Sequence, residues 1–364
     1  MDGVLAPSVS NISVPHLSGI FVALDDTTAS RSSWQDDLQA MKDVGIEFFI
    51  VRSAAVGVEF NATNASCPLG TFDSYYPARA AHLSRCMRRQ RGNADALRTV
   101  LTAAKGLGLG VHLGLAYPDG AANSYARTAN ATMWLKEYAW FNWEVAQDLW
   151  AQYGAAFNGT IRGFYTGLEV ANSVFWSEHT EALAGHFLQP QAREIHAQLD
   201  PSLLVWSSPY FVGNLTRHAA RSITDARSYA AWWGQLFSRA PDFGLIAPQD
   251  SMGAQGNSFQ NVSDYLDAMA AESRLQRRAV WSNVELFEVW PRSCEWPAQC
   301  HGRHPAPFER IRRQLANEAP RADLLVAWEW HSCLSPHGST NASAELYMEY
   351  KSYVLGTSED DDKR

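Results

Sequence analysis

The sequence predicts a single (β/α)8 barrel, and three observations predict it. Eight short apolar, β-branched or aromatic runs recur along the 364 residues. Segments with apolar residues at three- and four-residue spacing stand between them, and polar groups gather at the trailing ends of the runs. An open doubly wound sheet is the competing arrangement, but no Gly-x-Gly-x-x-Gly follows the first run.

The runs are SGIFVALD (18–25), IEFFIVRS (46–53), GVHLGLAY (110–117), IRGFYTGLEV (161–170), LLVWSSPY (203–210), GLIAPQD (244–250), AVWSNVELF (279–287) and LLVAWEW (324–330). Helical spacing appears over 33–44, 93–105, 133–153, 265–275 and 308–319. Two insertions, 53–92 after the second run and 288–307 after the seventh, are long enough to wall a cleft at the barrel mouth. No repeat or linker divides the chain, so 1–356 is expected to be one catalytic domain. The tail TSEDDDKR (357–364) resembles an engineered protease-site remnant and stands outside fold reasoning.

Composition narrows the partners. The chain is 46% hydrophobic with a net charge of −8, which supports a large core and argues against nucleic acid or an acidic membrane surface. Fourteen Trp and thirteen Tyr suit the apolar faces of sugars, and suit a Trp-rich core equally. No apolar stretch is long enough to span a membrane. Eight Asn-x-Ser/Thr sequons stand at Asn11, Asn61, Asn64, Asn130, Asn158, Asn214, Asn261 and Asn341. Chance would supply roughly two or three, so N-linked glycans and a secreted eukaryotic protein are expected, its signal peptide absent from the numbered chain. Cysteine usage fits that compartment: Cys67 with Cys86 and Cys294 with Cys300 are expected to close loops, leaving Cys333 over. Zinc held by Cys294, Cys300, His301 and His304 is the alternative, although C-x5-C-H-x2-H matches no usual zinc spacing. No metal or organic cofactor is otherwise expected.

In such barrels the chemistry lies at the C-terminal ends of the strands. The run ends carry Asp25, Arg52, Tyr117, Glu169, Tyr210, Gln249, Asp250, Glu285, Glu288 and Glu329. Alternation along a strand then sorts them. Tyr165, Gly167 and Glu169 share one parity, and Trp281, Asn283 and Glu285 share another, both facing the axis if their neighbours face the helices. Two carboxylates across the mouth can flank a glycosidic bond, one as acid and one as nucleophile. Tyr165, Trp176, Trp281 and Trp328 would then offer sugar platforms. Solvated or ion-paired glutamates beside core aromatics would give the same pattern. Glu288 lies past its strand, only one of Trp328 and Glu329 can face inward, and Glu329 could equally pair with Arg52. Asp250 could bind a sugar hydroxyl, replace a glutamate or cap a turn, and His112 inside the third run reads as a core group.

The motifs GFYTGLEVAN, IAPQDSMGAQ and VWSNVELFE resemble a family of barrel glycoside hydrolases catalogued as domain of unknown function 4434, akin to retaining two-glutamate glycosidases. That resemblance implies Glu169 as acid/base, Glu285 as nucleophile, and Gln249 and Asp250 in a sugar-binding mouth. One departure stands out: the acid/base of the wider pattern follows an Asn, whereas Glu169 follows Leu168 and Asn172 comes three residues later. The sequence thus points to a secreted glycoside hydrolase acting on an oligo- or polysaccharide. A catalytically silent carbohydrate-binding protein on the same scaffold is the alternative.

Overall fold

A computed structural model describes residues 14–24, 34–60, 66–91, 95–118, 120, 130–213, 223–289, 302–338 and 340–356. The eight apolar runs become eight parallel strands: β1 Gly19–Val22, β2 Phe48–Val51, β3 Gly110–Gly114, β4 Ile161–Thr166, β5 Leu204–Ser207, β6 Leu245–Ile246, β7 Trp281–Glu285 and β8 Leu324–Trp328. Their order is β6-β5-β4-β3-β2-β1-β8-β7. The open seam between β6 and β7 is bridged at Ile246–Val280 and Gln249–Asn283, which closes the barrel.

The helices occupy the connections. Gln35–Asp43, Ala96–Leu107, Ala131–Leu149, Phe259–Leu275 and Phe308–Glu318 match the spacing in the sequence. Gln189–Gln198, Ala226–Arg239 and Asn341–Leu355 complete the shell. Local chemistry sets their starts, since Asp95, Asn130, Asp225, Ser258 and Thr340 each accept a first-turn N–H. No helix among the described residues is long and apolar enough to cross a membrane.

Alternation divides the core in two. Helix-facing residues form the outer layer, while Phe21, Phe48, Ile50, Tyr165, Trp206, Leu245, Ala247, Trp281 and Val326 fill the barrel. Trp206 stands at the centre of this plug, with ring centroids 5.0 Å from Tyr165, 5.2 Å from Trp281 and 6.0 Å from Phe21. Its indole donates to His112 Nδ1 at 3.1 Å. Burial, with the charge of Arg162 adding, drops the His112 pKa to about 3, so His112 is a neutral core acceptor as its place in the strand suggested.

The insertion after β2 folds into a sheet of its own. Ala55–Glu59 pairs with Thr71–Ser74, which pairs with Met87–Gln90, and Ala116–Tyr117 joins the other edge. The Cys67–Cys86 disulfide ties it together. Burial alone would raise the Asp73 pKa, but hydrogen bonds from Arg88, Arg91 and Arg89 outweigh it and hold the carboxyl low. Cys333 is buried and unpaired, while Cys294, Cys300 and His301 lie outside the described residues.

The plug predicts where stability resides. Trp206→Ala should cost about 3–5 kcal/mol, the range for deleting a large buried ring. Denaturant unfolding of the purified variant checks this; a loss under about 1 kcal/mol would mean the plug is not the centre of the core.

Candidate active site

The backbone carries its alternation past the end of β4. Leu168 and Val170 bury into the outer core, which turns Glu169 between them toward the mouth. Glu169 is exposed on its open side but walled by protein elsewhere. That desolvation raises its pKa, against the charges of Arg52 and Arg303 and a bond from Gln249. The Gln249 amide sits 3.5 Å from Glu169 Oε1, a long contact, and donates at 3.0 Å to the Ser208 carbonyl. Nearby Tyr117 has its pKa pushed up to about 12, first by the charge of Glu169 and then by burial.

Across the mouth, Glu285 ends β7 and is buried. Its position depends on the turn that follows β6. Asn283 N–H donates to Pro248 O at 2.8 Å and Asp250 N–H to Asn283 O at 3.0 Å, which fastens that turn to β7. Ser251 takes a left-handed φ of 54°, and Asp250 Oδ1 accepts from Met252 N at 3.0 Å and from Glu285 N at 3.3 Å. A Cβ on Gly253 would come within 2.2 Å of the Phe287 carbonyl, so only glycine lets the loop approach. That approach delivers the Ala254 N–H to Glu285 Oε2 at 2.6 Å.

Behind Glu285 lies a row of buried carboxyls. Asp250 is fully buried and faces the Phe308–Glu318 helix, where Gln314 donates to its Oδ2. Glu318, also fully buried, accepts from Ser282 Oγ at 2.6 Å, and burial followed by the charge of Asp250 pushes its pKa up. Arg310 sits beside the row, and its Nη2 donates to the carbonyls of Glu285 (2.7 Å) and Phe287 (2.8 Å). Burial raises the pKa of all three acids. For Glu285 the charge of Asp250 adds to burial and the value is pushed up to about 8, against the Ala254 N–H, Arg303 and Arg310.

The remaining sequence candidates divide. Arg52 lies over the rings of Tyr117 (4.7 Å) and Trp328 (5.6 Å). Arg303, from the strand Arg303–Pro305, lies over Phe287 (4.3 Å) and Trp328 (6.0 Å). Trp328 and Tyr210 are half-buried at the mouth. Tyr165 and Trp281 belong to the barrel plug and Trp176 is buried on the short helix Val174–Glu178, so these three are packed rings and not open platforms. Asn283 is buried and donates to Ser208 Oγ at 2.9 Å. Glu288 is half-buried in a two-stranded hairpin opposite His304. Of the pair at the end of β8, Trp328 faces the mouth. Glu329 makes no ion pair with Arg52; its carboxylate accepts the N–H groups of His331 (2.9 Å) and Ser332 (2.8 Å), capping the turn Trp330–Leu334. Burial would raise its pKa, but these bonds and His331 hold it low. Asn172 cannot replace the missing Asn, because its amide is spent on Val212, Thr224 and Tyr265. Asp25 lies outside the described residues.

A family model described as Domain of unknown function (DUF4434) matches residues 17–340. The chain belongs to the DUF4434 family. No curated protein matches it. Among solved structures it resembles one from Bacteroides thetaiotaomicron described as a "putative alpha-L-fucosidase", with 16% identity, TM-score 0.70, and coverage of 97% of this chain and 99% of the other. Looser likenesses are to AbfB, a family 51 alpha-L-arabinofuranosidase from Bifidobacterium longum (11% identity, TM-score 0.49, 94% and 73% covered), and to a chitinase from Chromobacterium violaceum (9%, 0.48, 92% and 98%). At these identities the first of them establishes a shared barrel.

Four members of the DUF4434 site escaped the sequence reading: Arg303, Arg310, Gln314 and Glu318. The last three did leave a signal. In FERIRRQLANE they recur every four residues on one face of the helix, beside the apolar Ile311 and Leu315. A polar stripe of that kind on a core-facing helix marks a buried network. Arg303 left none, because its position comes from a hairpin whose return is not legible in the chain.

The raised Glu285 pKa fixes a sign for stability. A carboxyl whose folded pKa exceeds its unfolded value contributes stability at low pH that is lost as pH rises through the folded pKa. The melting temperature should therefore fall between about pH 5 and pH 8, and Glu285→Gln should flatten that slope. Melting curves across this range for both proteins test it; parallel slopes would show that Glu285 ionises as an ordinary glutamate.

Proposed function

We propose that the protein is a glycoside hydrolase that cleaves an oligo- or polysaccharide with Glu169 and Glu285, by a retaining mechanism. The observation that carries this reading is the pair itself: two glutamates at the C-terminal ends of β4 and β7, facing one mouth, both within the field of Arg303. In this mechanism Glu169, whose carboxyl is biased toward its protonated form, gives its proton to the leaving oxygen. Glu285 attacks the anomeric carbon, forming a glycosyl ester that water, deprotonated by Glu169, then hydrolyses. The Ala254 N–H and Arg303 favour the ionised Glu285 that attack requires, while burial and Asp250 oppose it. Its ionisation therefore sets the acidic limb of the pH profile.

The reading includes secretion. The Cys67–Cys86 disulfide fits an oxidising compartment. Asn130, Asn158 and Asn341 are exposed and could carry glycans, whereas Asn261 is half-buried at the start of a helix.

Against a panel of polysaccharides and oligosaccharides, the wild type should release sugars, and Glu169→Gln and Glu285→Gln should each lose about 10²-fold or more in kcat/KM while keeping their fold. Product anomers followed by NMR should show retention. Two active variants would place the chemistry elsewhere, and glycan binding without cleavage would favour a binding protein. With a substrate in hand, Asp250→Asn should move the acidic limb to lower pH, because it removes the negative charge that raises Glu285. An unmoved limb would disconnect Asp250 from the nucleophile.

A further inference from the structure

The protein carries a net charge of −8, yet two guanidinium groups, Arg52 and Arg303, act on Glu169, with Tyr117 between the same two fields. Among the described residues, Glu169 and Glu285 are carboxyls that lie within the field of Arg303, and Glu169 also within that of Arg52.

Arg52 is the telling residue. Its guanidinium lies against Tyr117 at 4.7 Å and Trp328 at 5.6 Å, is partly buried, and forms no ion pair with a carboxylate among the described residues. A guanidinium held this way is partly desolvated with no carboxylate in ion-pair contact among the described residues, which costs free energy that an incoming oxyanion would recover. Packing of its face on aromatic rings leaves in-plane N–H donors for a planar oxyanion, which a guanidinium binds bidentately.

We infer that the mouth selects glycans bearing an anionic group, the carboxylate of a uronic acid or a sulfate ester, held by Arg52 with the sugar ring against Trp328. The inference rests on the glycosidase reading of the same site and narrows its substrate. It also links recognition to the acid. A substrate anion beside Glu169 raises the cost of ionising that carboxyl and so holds the proton it must donate.

The test separates the two readings. Uronate-containing oligosaccharides, each paired with its carboxyl-reduced counterpart, and sulfated oligosaccharides, each paired with its desulfated form, are titrated into the Glu285→Gln variant by calorimetry. The expected result is that an acidic glycan binds at least tenfold more tightly than its neutral partner. The arm that shows this identifies carboxylate or sulfate. That preference should collapse when Arg52→Gln is added, and Arg52→Lys should restore only part of it, provided melting curves show both variants folded. Equal binding of acidic and neutral partners, a preference that survives Arg52→Gln, or no binding of any acidic glycan would overturn the inference. Cleavage of neutral glycans with no regard for charge would overturn it and leave the glycosidase reading standing. Acidic glycans bound through Arg52 but never cut by the wild type would do the reverse.

Discussion

The candidate site depends on a seam. β6 contributes only Leu245–Ile246 to the barrel wall, too short to pair along the whole of β7. The chain closes the gap with backbone bonds beyond the strand: Asn283 to Pro248, Asp250 to Asn283, and the bridge between Gln249 and Asn283. These bonds satisfy groups that burial would otherwise leave unpaired, so the turn has little freedom to move. Three consequences share this one fastening. Gln249 is aimed at Glu169, Asp250 is driven behind β7, and the Ala254 N–H is presented to Glu285. Geometry on both sides of the mouth is thus set by a few peptide groups at the weakest join of the barrel.

Electrostatics follow from where that seam puts Asp250. Three carboxyls in a dry environment cannot all be charged at little cost, because each further ionisation adds a buried anion that Arg310 and Arg303 compensate only in part. The row answers with raised carboxyl pKa values, through burial first and, for Glu285 and Glu318, through the charge of Asp250. Glu285 feels this arrangement directly, and so its ionisation reports on residues well outside the mouth. A helix on the outer layer, through Arg310, Gln314 and Glu318, thereby helps set the charge of an inward-facing glutamate.

Much of this was legible in the sequence. All eight strands fall inside the apolar runs, and parity correctly turned Glu285, Asn283 and Trp281 inward, because period-two alternation is a direct consequence of the pleat. Glu169 was found by the same rule even though β4 stops at Thr166, since Leu168 and Val170 continue to alternate into the core. What failed had a different cause. Of the three roles left open for Asp250, the two at the mouth failed, because the turn at Ser251 and Gly253 reverses its direction and its Oδ1 caps that turn at Met252 N. Glu329 looked like a substrate contact or an ion-pair partner of Arg52, yet two nearby N–H groups were a better partner than a distant guanidinium. The aromatic excess was open between sugar platforms and a Trp-rich core, and for Tyr165, Trp176 and Trp281 the core claimed the rings.

The two insertions show why the mouth has the character it does. The sheet that follows β2 pairs Ala55–Val56 with Ala116–Tyr117, and so fixes Tyr117 beneath Arg52. After β7, the hairpin pairs Val289 with Arg303 and carries that guanidinium over Phe287 and toward Trp328. Each insertion thus places one member of an aromatic–guanidinium stack, and Trp328 at the end of β8 lies between the two arginines. A barrel of this kind offers the same strand ends to any chemistry, so loops decide what the mouth attracts. Here they bring Tyr117 against Arg52 and carry Arg303 over Phe287, so that guanidinium groups lie on flat rings at the mouth.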